Sequence, residues 1–290
     1  EERSAQSERA LELCQRSGDH HGLLLVRLLR AAMFWESCDT AAARFEIDAF
    51  KQLAEASQAP QALWIVQAQQ ACQLLLDGRL SQVEQLAGAC LFAGQRVHDH
   101  NALLTFGIHL TLLRIEQDRA AEVLDVIRDY AARYPRIAGW RVLYGYALSR
   151  AGRREDCVRE YESLKRAGFP LARDLNWMVT MSWLAETCAT LDDAEGASTA
   201  YERLLPFADR LVVVGYAGIA CCGSVERYLG LLAATRGNTA AARQHFERAV
   251  EVNRKVSATL PLLQTQCDYA TWLTRQGDHP RRPGDRRPDP

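Results

Sequence analysis

The stretch that decides the fold is "LLAATRGNTAAARQHFERAV", residues 231–250. An apolar run of helical period leads to a turn signal at Gly237, and a second helical run follows it. The same signature stands in "LLLDGRLSQVEQL" (74–86) and "YALSRAGRREDCVREYESL" (146–164). Outward from there, turn signals recur at Asp39, Gly78, Asp118, Gly152, Asp192, Gly237 and Gly277. The steps between them, by subtraction of these numbers, are 39, 40, 34, 40, 45 and 40. A period of this size marks a repeat array, because one unit cannot bury its own apolar face and neighbours must stack on it. Such arrays curve into extended concave surfaces that bind other molecules.

Strand signals are nearly absent, and β-branched residues are scattered within runs of helical period, so the class is all-α. The helices are expected in pairs: 22–36 with 40–57, 61–76 with 80–94, 101–116 with 119–134, and 137–150 with 154–167. Then follow 174–190 with 194–208, 220–235 with 239–256, and a single helix over 260–275. Pro60, Pro135 and Pro170 fall just after second helices, where a missing N–H and a ring clash end a helix.

Three pairs resemble the tetratricopeptide repeat. In 223–256, Leu229-Gly230 fills the "LG" position of the first helix, and Ala242, Phe246 and Ala249 fill the small–aromatic–small positions of the second. The 137–170 pair matches with Gly145, Cys157 and Tyr161, and the 174–208 pair with Leu184-Ala185, Ala197 and Tyr201. In 101–135 the apolar spacing survives, but Ile127 replaces the aromatic residue. The step near 40, against the consensus of about 34, requires longer helices or longer joints. The expected fold is therefore a right-handed, tetratricopeptide-like α-solenoid of helix-turn-helix repeats, with a period of about 40.

The stretch 174–253, from "DLNWMVTMSW" to "RAVEVN", resembles a C-terminal region of large bacterial signalling ATPases, as do "CQRSGD" (14–19) and "NALLTFGIHLTLLRIEQDR" (101–119). In those proteins a nucleotide-binding domain precedes a long helical-repeat region, with a transcription-activator, LuxR-type or nucleotide-cyclase domain at the other end. The resemblance covers residues 10–278 and is tightest over 174–278. It implies a regulator of an attached ATPase and output domain. No GxxxxGK[ST] loop occurs, so ATP hydrolysis does not carry over, and no cofactor motif is present.

Composition sets the remaining bounds. The chain has 290 residues, 48% of them hydrophobic, and a net charge of −1, which suits an ordinary globular protein with a core. No basic stripe offers phosphates a footprint, so nucleic-acid binding is disfavoured. Nine scattered cysteines without a CxxC motif point to a reducing cytoplasm. There is no signal peptide or apolar run of transmembrane length. The chain opens at Glu1 inside a helical pattern, "ERALELCQRSGD" (8–19), and reads as an excerpt of a longer polypeptide.

The domain organisation expected is a repeat region over 1–278 and a disordered Pro/Arg-rich tail, "HPRRPGDRRPDP" (279–290), with almost nothing apolar to bury. The array then ends on a half unit. An uncapped apolar face on the last helix calls for a homodimer contact or leaves the chain prone to aggregate.

Few constellations suggest chemistry. Val97-His98-Asp99-His100-Asn101 is the most metal-like string, but zinc needs three or four converging ligands. The competing reading is a polar joint in which Asp99 or Asn101 caps the next helix. Cys221-Cys222 is either a pair of vicinal thiols poised for redox chemistry or two small packing residues ahead of a helix with Ser224 near its start. "DRLVVVG" (209–215), the one run with strand character, is either an edge for a partner strand or an extended buried joint crossing the solenoid. His20-His21 sits in a turn, while His109 and His245 lie among apolar neighbours as packing residues. No nucleophile elbow appears, and the Asp192-Asp193 pair marks a helix start. The chain is expected not to be an enzyme.

The six tryptophans, Trp35, Trp64, Trp140, Trp177, Trp183 and Trp272, all fall in first helices, which line the concave side of a tetratricopeptide superhelix. Most are expected in the core, with some forming a ligand wall. Transferring the repeat's inner-face positions gives a polar groove of Thr105, Tyr146, Ser182, Glu186, Arg227, Gln264, Thr271 and Arg275. A protein or peptide partner in that groove is the first functional expectation, and a small-molecule effector enclosed by the superhelix is the second. A deep enclosed pocket would favour the effector, and an open channel the peptide.

Overall fold

The structure is a computed structural model and describes residues 2–169, 171–215 and 217–277. Helices dominate: α1 (Glu2–Ser17), α2 (His20–Glu36), α3 (Thr40–Ala56), α4 (Pro60–Leu76), α5 (Leu80–Arg96), α6 (His100–Glu116) and α7 (Leu124–Arg133) form the first half. The second half holds α8 (Ala138–Arg150), α9 (Arg154–Arg166), α10 (Trp177–Leu191), α11 (Ala194–Leu204), α12 (Val225–Thr235), α13 (Thr239–Lys255) and α14 (Thr259–Arg275). A hairpin of β1 (Leu211–Val214) and β2 (Ala220–Ser224) lies between α11 and α12. The architecture is an all-α helical-repeat array with this one insertion.

The joints explain the period. Cys38, Gln58, Gly78, His98 and Asp118 all take positive φ, evenly spaced along the chain, and Gly237, Ser257 and Gly277 repeat the same spacing. Each ends a helix in the left-handed conformation, and those up to Ser257 hand the chain to the start of the next described helix. Helices α2 to α6, α13 and α14 each span 17 residues, and a short joint follows each of them. From Cys38 to Gly78, one pair with its two joints, the numbering advances by 78 − 38 = 40. Longer helices thus account for the excess over the consensus repeat in these pairs, whereas between Gly152 and Asp192 the long joint between α9 and α10 does. Where the interval drops to 34, α8 is only 13 residues long, and α7 is shorter still. The interval of 45 holds the hairpin.

Side-chain caps fix the starts. Asp19, Asp39, Asp99, Asp193, Ser224 and Asn238 each accept a backbone N–H from the first turn of the helix that follows. Several expected boundaries shift. Pro60 opens α4, where its missing N–H costs nothing, and α3 is ended instead by Gln58. The span 119–134 divides into a 3-10 turn (Ala120–Val123) and α7, and residues 220–224 form β2 instead of helix. Pro170 and the tail 279–290 lie outside the described residues.

Burial separates two layers. The first helices α4, α6, α8 and α10 bury most of their circumference, whereas α3, α5, α9 and α13 bury one stripe each. In the best repeat, a Cβ at Gly230 would lie 2.8 Å from the Phe246 ring, so glycine lets the paired helices meet.

The inner layer closes on the hairpin. All four residues of β1 are buried, which is why that run is continuously apolar instead of alternating. Gln69 Nε2 of α4 donates to the Ala217 carbonyl at 3.1 Å, and Asn176 Oδ1 accepts from Gly215 N at 3.0 Å. Asn253 Oδ1 of α13 accepts from Ser224 N at 3.0 Å. Helix α14 packs against α4, and Gln264 Nε2 donates to Glu116 Oε1 at 2.7 Å. The array therefore curls until its last helix meets its early ones. Within the stretch 209–215, residues 211–214 form an extended buried strand paired with a strand of its own chain, while Asp209 is exposed.

The described outer face of α14 exposes Leu263, Gln266, Cys267, Ala270 and Thr274. Leu263 is its one large exposed apolar residue, so the face is less apolar than the half-unit reading expects. No described helix is long and apolar enough to cross a membrane.

Candidate functional site

The first turns of α6, α8 and α10 lie side by side and face the turn of the hairpin. Between them is a cavity of ≈ 240 Å³. Trp64 from α4, Trp140 from α8 and Trp183 from α10 line it, with Ile108, Val179 and Val214 completing much of the apolar wall. All three indoles are buried, so their faces and edges are spent on packing and on this space. Trp64 is held by its Nε1–H, which donates to Asp99 Oδ2 at 3.1 Å, while Asp99 Oδ1 caps α6 through Asn101 N at 2.9 Å. The rim carries Asn101, Ile137 and Leu175, and Leu175 is 65% exposed. Thr105 and Thr180 are the hydroxyl-bearing residues of its lining.

Trp183 also lines a smaller space of ≈ 40 Å³ beside a buried ionic cluster. Arg227 of α12 donates from Nη1 to Glu186 Oε1 at 3.0 Å and from Nε to Asp268 Oδ2 at 2.6 Å. Burial pulls the guanidinium toward neutrality, but Glu186 and Asp268 more than offset it and keep it charged. Burial pushes the Asp268 carboxyl up despite Arg227. It pushes Glu116 up as well, and the neighbouring Glu186 charge adds to that.

The eight expected groove residues divide among three places. Thr105 lines the aromatic cavity. Tyr146, Glu186, Arg227 and Gln264 surround the ionic cluster. Ser182 is fully buried beside it, bonded to the Val179 carbonyl. Thr271 and Arg275 are exposed in a polar groove of ≈ 630 Å³ between α10, α12 and α14, which Glu186 also reaches. No continuous groove joins all eight, because the hairpin occupies the concave side between them.

No family model, curated protein or solved structure matches the chain. The site must therefore be read from its own geometry.

The remaining constellations have structural tasks. Asp99 caps α6, His98 takes the left-handed joint position, and His98 and His100 are both exposed. Among the described residues no group of three or more His, Cys, Asp or Glu side chains is placed to hold a metal. Cys221 and Cys222 lie in β2, and all nine cysteines are free. Burial pushes the Cys221 thiol up to about 12, which suppresses the reactive thiolate. His245 is buried between the Glu226 carboxylate at Nδ1 and the Tyr201 hydroxyl at Nε2. None of the cavities above opens onto that trio. The Trp-lined cavity left no local signal beyond the first-helix tryptophans, because its walls come from five separate elements.

Proposed function

We propose that this chain is a non-catalytic sensor module that encloses a small-molecule effector within a right-handed repeat superhelix. The observation that carries this reading is the ≈ 240 Å³, mostly apolar cavity walled by Trp64, Trp140 and Trp183 and bordered on one side by the hairpin turn. Concave, mostly apolar spaces with a few convergent polar groups are the usual form of small-molecule sites. The hairpin fills the inner face that a peptide would need, which moves a groove-bound peptide to second place. The resemblance to the repeat regions of bacterial signalling ATPases supplies the context: a cytoplasmic module that regulates an attached ATPase or transcriptional output domain.

The second reading has one specific support. The groove of ≈ 630 Å³ displays the exposed Arg150, Asp192 and Arg275, a mixed-charge surface suited to a polar peptide, above the Glu186 and Asp268 carboxylates already paired with Arg227.

Ligand-observed NMR of the whole chain against a fragment library tests the first reading. Hits are expected to lose binding in Thr180→Phe, which fills the cavity, and in the rim variant Leu175→Glu, made at an exposed position. Hits indifferent to both variants would remove the cavity from consideration.

A further inference from the structure

We infer that the cavity selects an uncharged aromatic molecule of one to two rings, an inference that rests on the receptor reading above. Four observations converge on this class.

The first is charge. Among the described residues lining the cavity there is no Asp, Glu, Lys, Arg or His. An ion buried there would lose its hydration with no partner to replace it. The second concerns the carboxylates that neighbour rim residues Asn101 and Leu175 in the chain, which already have partners. Asp99 is engaged by Trp64 Nε1–H and Asn101 N–H, and Asp174 Oδ1 accepts from Asn176 N at 2.9 Å. Asp99 spends Oδ2 on the Trp64 indole and Oδ1 on the start of α6, and Asp174 spends Oδ1 on Asn176 N, so these oxygens are not held for a cation inside.

Size is the third. A cavity of about 150 Å³ is enough for benzene, and this one measures ≈ 240 Å³. It admits a bicyclic ring system. Fourth, three indoles line this one space, and aromatic rings favour offset or edge-on packing against other rings. The polar groups that remain are neutral: the Thr105 and Thr180 hydroxyls and the Asn101 amide. The Asn176 amide oxygen is already taken by Gly215 N. These residues suit one hydroxyl, carbonyl or ring N–H on an otherwise apolar ligand. A site of this kind rejects a charged analogue because the charge is desolvated without compensation.

The test uses the whole chain at neutral pH with three probe sets. Indole, coumarin and 2-naphthol are the neutral members, indole-3-carboxylate is the anion, and phenyltrimethylammonium is the cation. Dissociation constants are read by titration with ligand-observed NMR, in wild type, Thr180→Phe and Leu175→Glu. The expected result is that at least one neutral probe binds at least tenfold more tightly than both ions. That binding should weaken at least tenfold in Thr180→Phe. If an ion binds as tightly as the neutral probes and is sensitive to Thr180→Phe, the ligand class is wrong and the receptor reading survives. If no probe, neutral or charged, responds to either variant, both fall. Circular dichroism establishes that each variant is folded. If Thr180→Phe is not, the exposed rim position Leu175 carries the comparison.

Discussion

His109 Nε2 lies 2.7 Å from the carbonyl oxygen of Ile219 and donates its proton to it, tying α6 to the hairpin turn across a sequence separation of 110. The ring is fully buried, and among the described residues Nδ1 has no partner. Burial pulls the ring's pKa down, so it is neutral in the folded chain. The unfolded chain takes up this proton near about pH 6.5. Stability from the neutral ring is therefore present above that pH and is lost as pH falls through the depressed folded value. His109→Leu is expected to remove about 1–3 kcal/mol by stranding the Ile219 carbonyl. It should also flatten the stability profile between the depressed folded value and about pH 6.5, as measured by urea unfolding across a mildly acidic to neutral pH series.

Gly223 tests the fit between hairpin and last helix. Its φ is +80°, and a Cβ there would collide with Pro261 Cβ on α14. Gly78 also has positive φ, at +73°, but has open space around the same position. Gly78→Ala should cost about 1 kcal/mol from backbone conformation alone. Gly223→Ala adds a collision with a buried ring and should cost at least about 2 kcal/mol more. Equal midpoints for the two variants in chemical denaturation would refute the packing of β2 on α14.

Arg227 is the cation at the centre of the ionic cluster and is 4% exposed. Arg227→Met leaves Glu186 and Asp268 without their shared partner and should cost about 3–5 kcal/mol. Adding Glu186→Gln and Asp268→Asn removes the stranded charges and should recover most of that loss. A triple variant no more stable than the single one would show that the guanidinium's packing, not its charge, matters.

Glu116 makes a pH-dependent prediction of opposite sign to His109. Burial, and then the charge of Glu186, raise its carboxyl above the usual value. Its contribution is fully present below the unfolded value of about 4.3 and is lost as pH rises through the raised folded value. Glu116→Gln keeps a partner for Gln264 and carries no charge. Its melting temperature should equal the wild type's near that unfolded value and exceed it at neutral pH.

The helix pairs were legible because each rests on local chemistry. Asp39, Asp99, Asp193 and Asn238 cap within a few residues of their own position, and Gly78, Gly152, Gly237 and Gly277 end helices through their own φ. The strand character of residues 209–215 was visible, though read as an extended joint, but the partner strand "ACCGS" (220–224) was not. Its small residues and Ser224 read as the start of α12, and only the pairing of Val213 with Cys221 makes them extended. The expected groove failed as a unit for a related reason. Inner-face positions were transferred from an open superhelix, whereas here Ser182, Tyr146 and Arg227 are buried on a concave side that the hairpin occupies.

The amino-acid sequence by itself determined an array of helix pairs with a period of about 40. It could do so because periodicity, caps and left-handed joints each act within one helix and the turn that follows it. The tertiary structure alone decided what the concave side holds. Cys38 meets the Asp209 carbonyl, Gln69 meets Ala217 and His109 meets Ile219, at sequence separations of 171, 148 and 110. Contacts at such separations depend on the summed curvature of every repeat between them, and no local pattern encodes that sum.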